Sequence, residues 1–94
     1  MKSVHLLVTG RVQGVGFRWF VRQKARELRL AGWVMNRRDG SVEVAASGED
    51  EALDRLEKAV RMGPSGASVS GVEAIVDHVE ELKTPFEIRR GQLE

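Results

Sequence analysis

The sequence predicts an α+β sandwich on the split βαβ plan, βαββαβ, with two helices on one face of an antiparallel sheet. Three observations carry that prediction. Apolar residues alternate with period two near residues 4–8 and 42–46, and recur at helical spacing over 17–28 and 52–60. Glycine-bearing turns separate these segments. The pattern fills a chain of 94 residues, the length of one domain.

The elements follow in order. Val4, Leu6 and Val8 alternate with His5, Leu7 and Thr9, giving a first strand whose second face is partly covered at Leu7. Gly10 to Gly16 holds three glycines in seven residues and reads as a loop. Phe17, Phe20, Val21, Ala25 and Leu28 then form a helical stripe, with Arg18, Arg22, Arg26 and Arg29 on the other face. That helix is expected to end near Leu30, with Gly32 as its stop signal. Trp33 to Met35 form a short second strand, Asn36 to Gly40 a turn, and Val42, Val44 and Ala46 a third strand closing a hairpin. Acids at 49–51 open a second helix whose apolar face is Ala52, Leu53, Leu56, Ala59 and Val60. Three acid-to-base pairs at four-residue spacing support it: Glu51–Arg55, Asp54–Lys58 and Glu57–Arg61. Gly63-Pro64 stops it. Val69 to Val79 reads as a fourth strand, irregular around Gly71, and Phe86 to Ile88 as a short last one. This order is that of a ferredoxin-like sandwich. A single domain over 1–94 is expected, with its core at about 4–90 and a loose tail at Gly91 to Glu94.

Composition narrows the chemistry. Hydrophobic residues are 41% and charged residues 31%, which fits a folded globule and excludes disordered, collagenous and coiled-coil classes. There is no cysteine, so disulfides, iron–sulfur clusters, thiolate metal sites and a Cys nucleophile are excluded. His5 and His78 are too few for an all-protein zinc site and lie far apart, so structural or surface roles are expected for both. No apolar run is long enough for a membrane helix, no signal peptide is visible, and a cytoplasmic, free-standing chain is expected. The net charge of +1 is unevenly spread. Residues 1–48 carry nine Lys/Arg against three Asp/Glu, and residues 49–94 six against eleven. An anionic ligand is therefore expected on the first half.

The sharpest motif is Gly10-Arg11-Val12-Gln13-Gly14-Val15-Gly16-Phe17-Arg18. A glycine-rich turn between a strand and a helix can converge its backbone N–H groups on one anion, beside the positive helix end. Arg18 falls in the helix's first turn, where a guanidinium can hold two phosphoryl oxygens side by side. It is neither a Walker A loop nor a dinucleotide fingerprint. Taken alone, the spacing equally suits a tight connection that lets the helix pack on the sheet. By the same measure Asn36 is an ordinary turn residue.

Together with Gly32-Trp33-Val34, Asn36 and Asp39-Gly40-Ser41-Val42-Glu43, the run Gly10–Arg18 resembles the two signatures of the acylphosphatases. Gly63-Pro64 and Phe86-Glu87-Ile88-Arg89 extend the resemblance over roughly residues 4–90. The resemblance implies a small ferredoxin-like enzyme that hydrolyses the carboxyl-phosphate bond with no metal, no cofactor and no phosphoenzyme. Carried onto this chain, the backbone of Gln13, Gly14, Val15, Gly16 and Phe17 would bind the phosphoryl oxygens. Arg18 would be the catalytic arginine clamping the same group, and Asn36 the catalytic asparagine holding the attacking water. Acetyl phosphate, carbamoyl phosphate and 1,3-bisphosphoglycerate are the implied substrates. Inorganic phosphate or sulfate would fit the same loop, and a monomer suffices. Asn36 would face the loop if the first two strands were sheet neighbours. Two departures stand out: Arg37 where members often carry an uncharged residue, and no tyrosine after Ile88-Arg89-Arg90.

Two other readings compete. The same fold carries RNA-binding modules, and the first helix is basic, but the first and third strands offer no aromatic for base stacking. No nucleic acid is therefore expected as a partner. The other is a regulatory small-ligand domain, or a domain cut from a larger acylphosphatase-like protein, and fold alone does not decide function. Trp33 is expected in the core, and Trp19 just off the apolar stripe of the first helix.

Overall fold

The computed structural model describes residues 2–75 and 81–90. Among them run β1 (Lys2–Arg11), α1 (Phe17–Glu27), β2 (Ala31–Asn36), β3 (Val42–Gly48), α2 (Asp50–Met62), β4 (Ser68–Ala74) and β5 (Glu87–Ile88). The sheet order is β4-β1-β3-β2-β5. β1, β2, β3 and β4 pair antiparallel, as expected, but β5 runs parallel to β2, so the five-stranded sheet is mixed. The expected fold class therefore stands with a parallel edge added. Two residues of β5 are enough for a parallel edge pair, placing Glu87 beside Trp33 and Ile88 beside Val34.

Alternation dictates which face is dry. Leu6 and Val8 of β1, Val34 of β2 and Val42, Val44 and Ala46 of β3 all point to the helices. They meet Phe17, Val21 and Ala25 of α1 and Leu53, Leu56 and Val60 of α2, with Leu30 and Phe86 closing the core. Both helices thus cover one face. Of the expected acid-to-base pairs on α2, Glu51–Arg55 and Glu57–Arg61 close, at 3.1 and 2.9 Å.

Several boundaries differ from the sequence reading. Gly10 and Arg11 belong to β1, because they pair with Val69 and Ser68 of β4 across a register shift after Thr9. The loop is therefore shorter than expected and spans residues 12–16. β4 ends at Ala74, and the remainder of the strand expected to Val79, with His78, lies outside the described residues, as does the tail at 91–94.

The stop of α1 also differs. The helix ends at Glu27, and Arg29, not Gly32, takes the left-handed conformation, with φ 60°. The N–H of Leu30 donates to the Ala25 carbonyl and that of Arg29 to the Arg26 carbonyl, which together make a Schellman motif. Buried Leu30 at its end supplies the apolar contact. Gly32 sits in β2 with φ 136°, where an added Cβ would lie 1.9 Å from the Ala45 carbonyl oxygen. Its glycine answers to crowding between strands.

These two positions predict opposite effects. Arg29→Gly relieves a left-handed side-chain penalty and is expected to stabilise the fold by about 0.5–1 kcal/mol after glycine's entropy is counted. Gly32→Ala is expected to destabilise it by at least about 3 kcal/mol through backbone collision. Urea unfolding midpoints of the two variants check both signs.

Candidate active site

The pocket lies where the 12–16 loop, the start of α1 and the end of β2 meet. It encloses about 160 Å³ and is lined by Val12, Gly14, Gly16, Phe17, Arg18, Trp19, Asn36 and Ile88. Gly14, Gly16, Phe17, Arg18 and Asn36 are thus brought together as anticipated from the sequence. Gln13 and Val15 are not among the lining residues. Val15 packs against the core, and Gln13 turns its side chain to the β2–β3 turn. What either offers a ligand is its main chain.

The loop's conformation explains its glycines. Gly14 and Gly16 have φ of 75° and 77°, and a Cβ at either would meet no atom within 4 Å. The backbone conformation is what requires glycine there. Gly16 is also the N-cap of α1, so it supplies no side-chain cap, and the first turn carries no acid. α2 has Asp50 and Glu51 in its first turn. The positive end of α1 is therefore left with free N–H groups and a cation, Arg18, where a helix normally places an anion. Arg18 is half-buried and forms no ion pair among the described residues.

Asn36 reaches the pocket by a route that the sequence reading did not anticipate. β1 and β2 are not sheet neighbours, because β3 lies between them. The gap is bridged by the Gln13 side-chain amide, which donates to the carbonyls of Arg37 at 2.8 Å and Ser41 at 2.9 Å. Val34 alternates with Asn36, so Asn36 shares the helix-covered side of β2. Its Oδ1 is shielded from bulk solvent and accepts no hydrogen bond among the described residues.

The turn beyond Asn36 is braced from the opposite face of the sheet. Arg37 donates to the Glu43 carboxylate at 3.0 Å, and His5 closes on the other oxygen of the same carboxylate. Glu43 is 6% exposed, and both of its carboxylate oxygens have a partner. Arg37, a departure from the family's usual uncharged residue, is thus a brace of the turn. Trp33 lies beside this cluster, edge-on to His5 and beneath the Arg89 guanidinium at 4.4 Å. It is buried as anticipated, though on the sheet face opposite the helices. Within the turn, the Ser41 hydroxyl and N–H both donate to Asp39.

Three lining residues escaped the sequence reading. Val12 looked like loop filler. Ile88 arrives through the parallel pairing of β5, which leaves no local signal. Trp19 was visible as an aromatic off the helix stripe, and it is 55% exposed.

Fold and site together define a small α+β sandwich with a pocket at a glycine-rich strand–loop–helix junction, lined by one arginine and one asparagine. The acylphosphatase family model matches residues 4–88. An acylphosphatase of Rhizobium etli is 45% identical over 87 residues, covering 93% of each chain. The crystal structure of the Bacillus subtilis acylphosphatase superposes with a TM-score of 0.88 at 40% identity, covering 95% of this chain and 99% of that one. An acylphosphatase from Coxiella burnetii gives 0.81 at 45% identity, over 93% and 90%. The chain belongs to the acylphosphatase family, and its reaction is the hydrolysis of acyl phosphates, an acid-anhydride hydrolase activity.

The turn predicts an acid response. Hydrogen bonds from the Ser41 hydroxyl and then its N–H, with the Arg37 charge adding to them, hold the Asp39 carboxyl below its ordinary 3.8. A carboxyl depressed in the folded state stabilises above its unfolded value and loses that contribution as pH falls through the folded one. Asp39→Asn is therefore expected to unfold earlier than the parent at neutral pH, with the gap closing below pH 3.8. Urea midpoints from pH 2.5 to 7 read this difference.

Proposed function

We propose that Arg18 and Asn36 are the catalytic residues of this acylphosphatase and that the 13–18 loop is its phosphoryl cradle. The observation that carries the reading is the convergence of Gly14, Gly16, Arg18 and Asn36 on one pocket at the uncapped end of α1. In this reading the loop's main-chain N–H groups and the Arg18 guanidinium take the non-bridging oxygens of the phosphoryl group. The Asn36 carboxamide oxygen, which the fold leaves without a donor, accepts a hydrogen bond from water. The soft χ2 of asparagine lets that oxygen turn to the pocket.

The chemistry asks for little more. Water oxygen attacks phosphorus as the bond from phosphorus to the acyl oxygen breaks. The carboxylate leaves with the electron pair, and the water's proton is released to the phosphate product or solvent. A carboxylate is a good leaving group, and the transition state of phosphoryl transfer is loose. Positioning and charge stabilisation then carry the rate, with no strong base and no metal. Acetyl phosphate, carbamoyl phosphate and 1,3-bisphosphoglycerate belong to the substrate class, and inorganic phosphate or sulfate competes for the cradle. The chain works as a cytoplasmic monomer in this reading, which its lack of cysteine suits. Among the described residues no helix is long and apolar enough to cross a membrane.

The test is turnover of benzoyl phosphate in the presence of EDTA. The parent is expected to be active. Arg18→Ala is expected to raise KM and lower kcat, and Asn36→Ala to lower kcat about 10²-fold or more with inhibition by inorganic phosphate preserved. A folded Asn36→Ala turning over at the parent rate would overturn the water-holding role. Gln13→Met keeps the side chain's bulk and removes its donors. It is expected to lower kcat about tenfold through misplacement of Asn36, with the melting temperature as the control for folding.

A further inference from the structure

The phosphoryl cradle accounts for only part of the pocket. Gly14, Gly16, Arg18 and Asn36 supply its polar groups, while Val12, Phe17, Trp19 and Ile88 supply carbon. Val12 and Phe17 are each 1% exposed and belong to the core, so they form a floor. Ile88 is half-buried. Trp19 stands apart from all three. It is not among the residues packed on the core, and its ring makes no aromatic or cation–π contact among the described residues.

Its counterpart Trp33 shows how this fold treats a tryptophan it needs for structure. Trp33 is buried and contacted by His5 and Arg89. Trp19 and Met62 are the exposed large apolar side chains among the described residues, and Met62 merely ends α2. An indole left more than half open at a pocket carries a large apolar surface that folding does not cover.

We propose that Trp19 is an acyl-group subsite and that the preferred substrate is an acyl phosphate with a flat, apolar acyl group. The inference rests on the phosphoryl cradle proposed above. An acyl phosphate has two ends. Once the dianionic end occupies the N–H groups and Arg18, the acyl end is directed to the lining that remains, Trp19 and Ile88. Arg18 is the single charged side chain lining the pocket, and the phosphoryl group engages it. An acyl group bearing a second phosphate would therefore meet an apolar flank with no second cation. A small acyl group such as acetyl would cover little of the indole. An aryl group can lie against it and exclude water from both faces.

The experiment compares benzoyl phosphate with acetyl phosphate in the parent, Trp19→Ala and Trp19→Phe, with KM and kcat read separately. The parent is expected to favour benzoyl phosphate through KM. Trp19→Ala is expected to raise the benzoyl phosphate KM about three- to tenfold, the range of aromatic contact energies, while the acetyl phosphate KM stays within about twofold. Trp19→Phe is expected to recover most of the loss, and inhibition by inorganic phosphate to stay constant throughout. Equal effects on both substrates, no effect on either, or weakened phosphate inhibition in Trp19→Ala would each overturn the subsite.

A folded parent that turns over neither substrate would remove the proposed mechanism and leave the subsite to binding. Phenacylphosphonate and acetonylphosphonate, in which CH₂ replaces the bridging oxygen, then serve as probes in calorimetric titrations. Tighter binding of the phenacyl compound that is lost in Trp19→Ala supports the subsite. Equal binding of the two overturns it.

Discussion

The Gln13 side-chain amide donates to two carbonyls of the β2–β3 turn, and the geometry of the pocket depends on this link. The loop follows β1 and Asn36 ends β2, yet β3 separates the two strands. Strands two places apart lie about 10 Å from each other, so no ladder hydrogen bond can hold the loop against the end of β2. A side chain has to cross that distance, and glutamine does so with two donors on one nitrogen. Each bond contributes on the order of 1 kcal/mol, but what they fix jointly is the separation of the cradle from Asn36.

The turn that accepts these bonds has to be stiff for them to transmit position. Its stiffness comes from behind the sheet. Glu43 follows Val42 on β3, so alternation carries its carboxylate to the face away from the helices. There it takes Arg37 on one oxygen and His5 on the other. A carboxylate as buried as this would be costly without both partners. Asp39 ties the tip of the turn to Ser41. The residue after Asn36 is thus held by its carbonyl through Gln13 and by its side chain through Glu43. That gives Arg37 a structural reason to differ from the uncharged residues usual in the family.

Much of this was legible in the sequence, and the reasons are local. Period-two and helical stripes placed β1, β3, α1 and α2, because each buries one face. The glycine-rich run and Arg18 marked the pocket now proposed as the cradle, through residue types that a phosphate loop needs. The misreadings share a cause: the decisive neighbour was distant in sequence. Gly32 looked like a helix stop because glycine is the usual C-cap, but Arg29 took that conformation while Ala45 claimed the space beside Gly32. Gly10 and Arg11 looked like loop until β4 paired with them. The parallel edge of β5, and with it the place of Ile88, rests on two residues near the end of the chain and gave no periodic signal. Asn36 lines the same pocket as the loop, though β1 and β2 are not neighbours as the sequence reading required.

Three local rules that this chain breaks are broken around one pocket. Neither helix has a side-chain cap, but α2 has acids in its first turn where α1 carries Arg18. A cation at the positive end of a helix costs on the order of 0.3–1 kcal/mol. The Asn36 oxygen lacks a donor, and Trp19 stays uncovered, beside the same pocket. In the proposed reading one anhydride substrate answers all of them at once. Its phosphoryl oxygens would accept from the free N–H groups and neutralise Arg18, its attacking water would donate to Asn36, and its acyl group would cover the indole. Three unrelated defects with one common remedy are what a site shaped by its substrate, and not by folding, should look like.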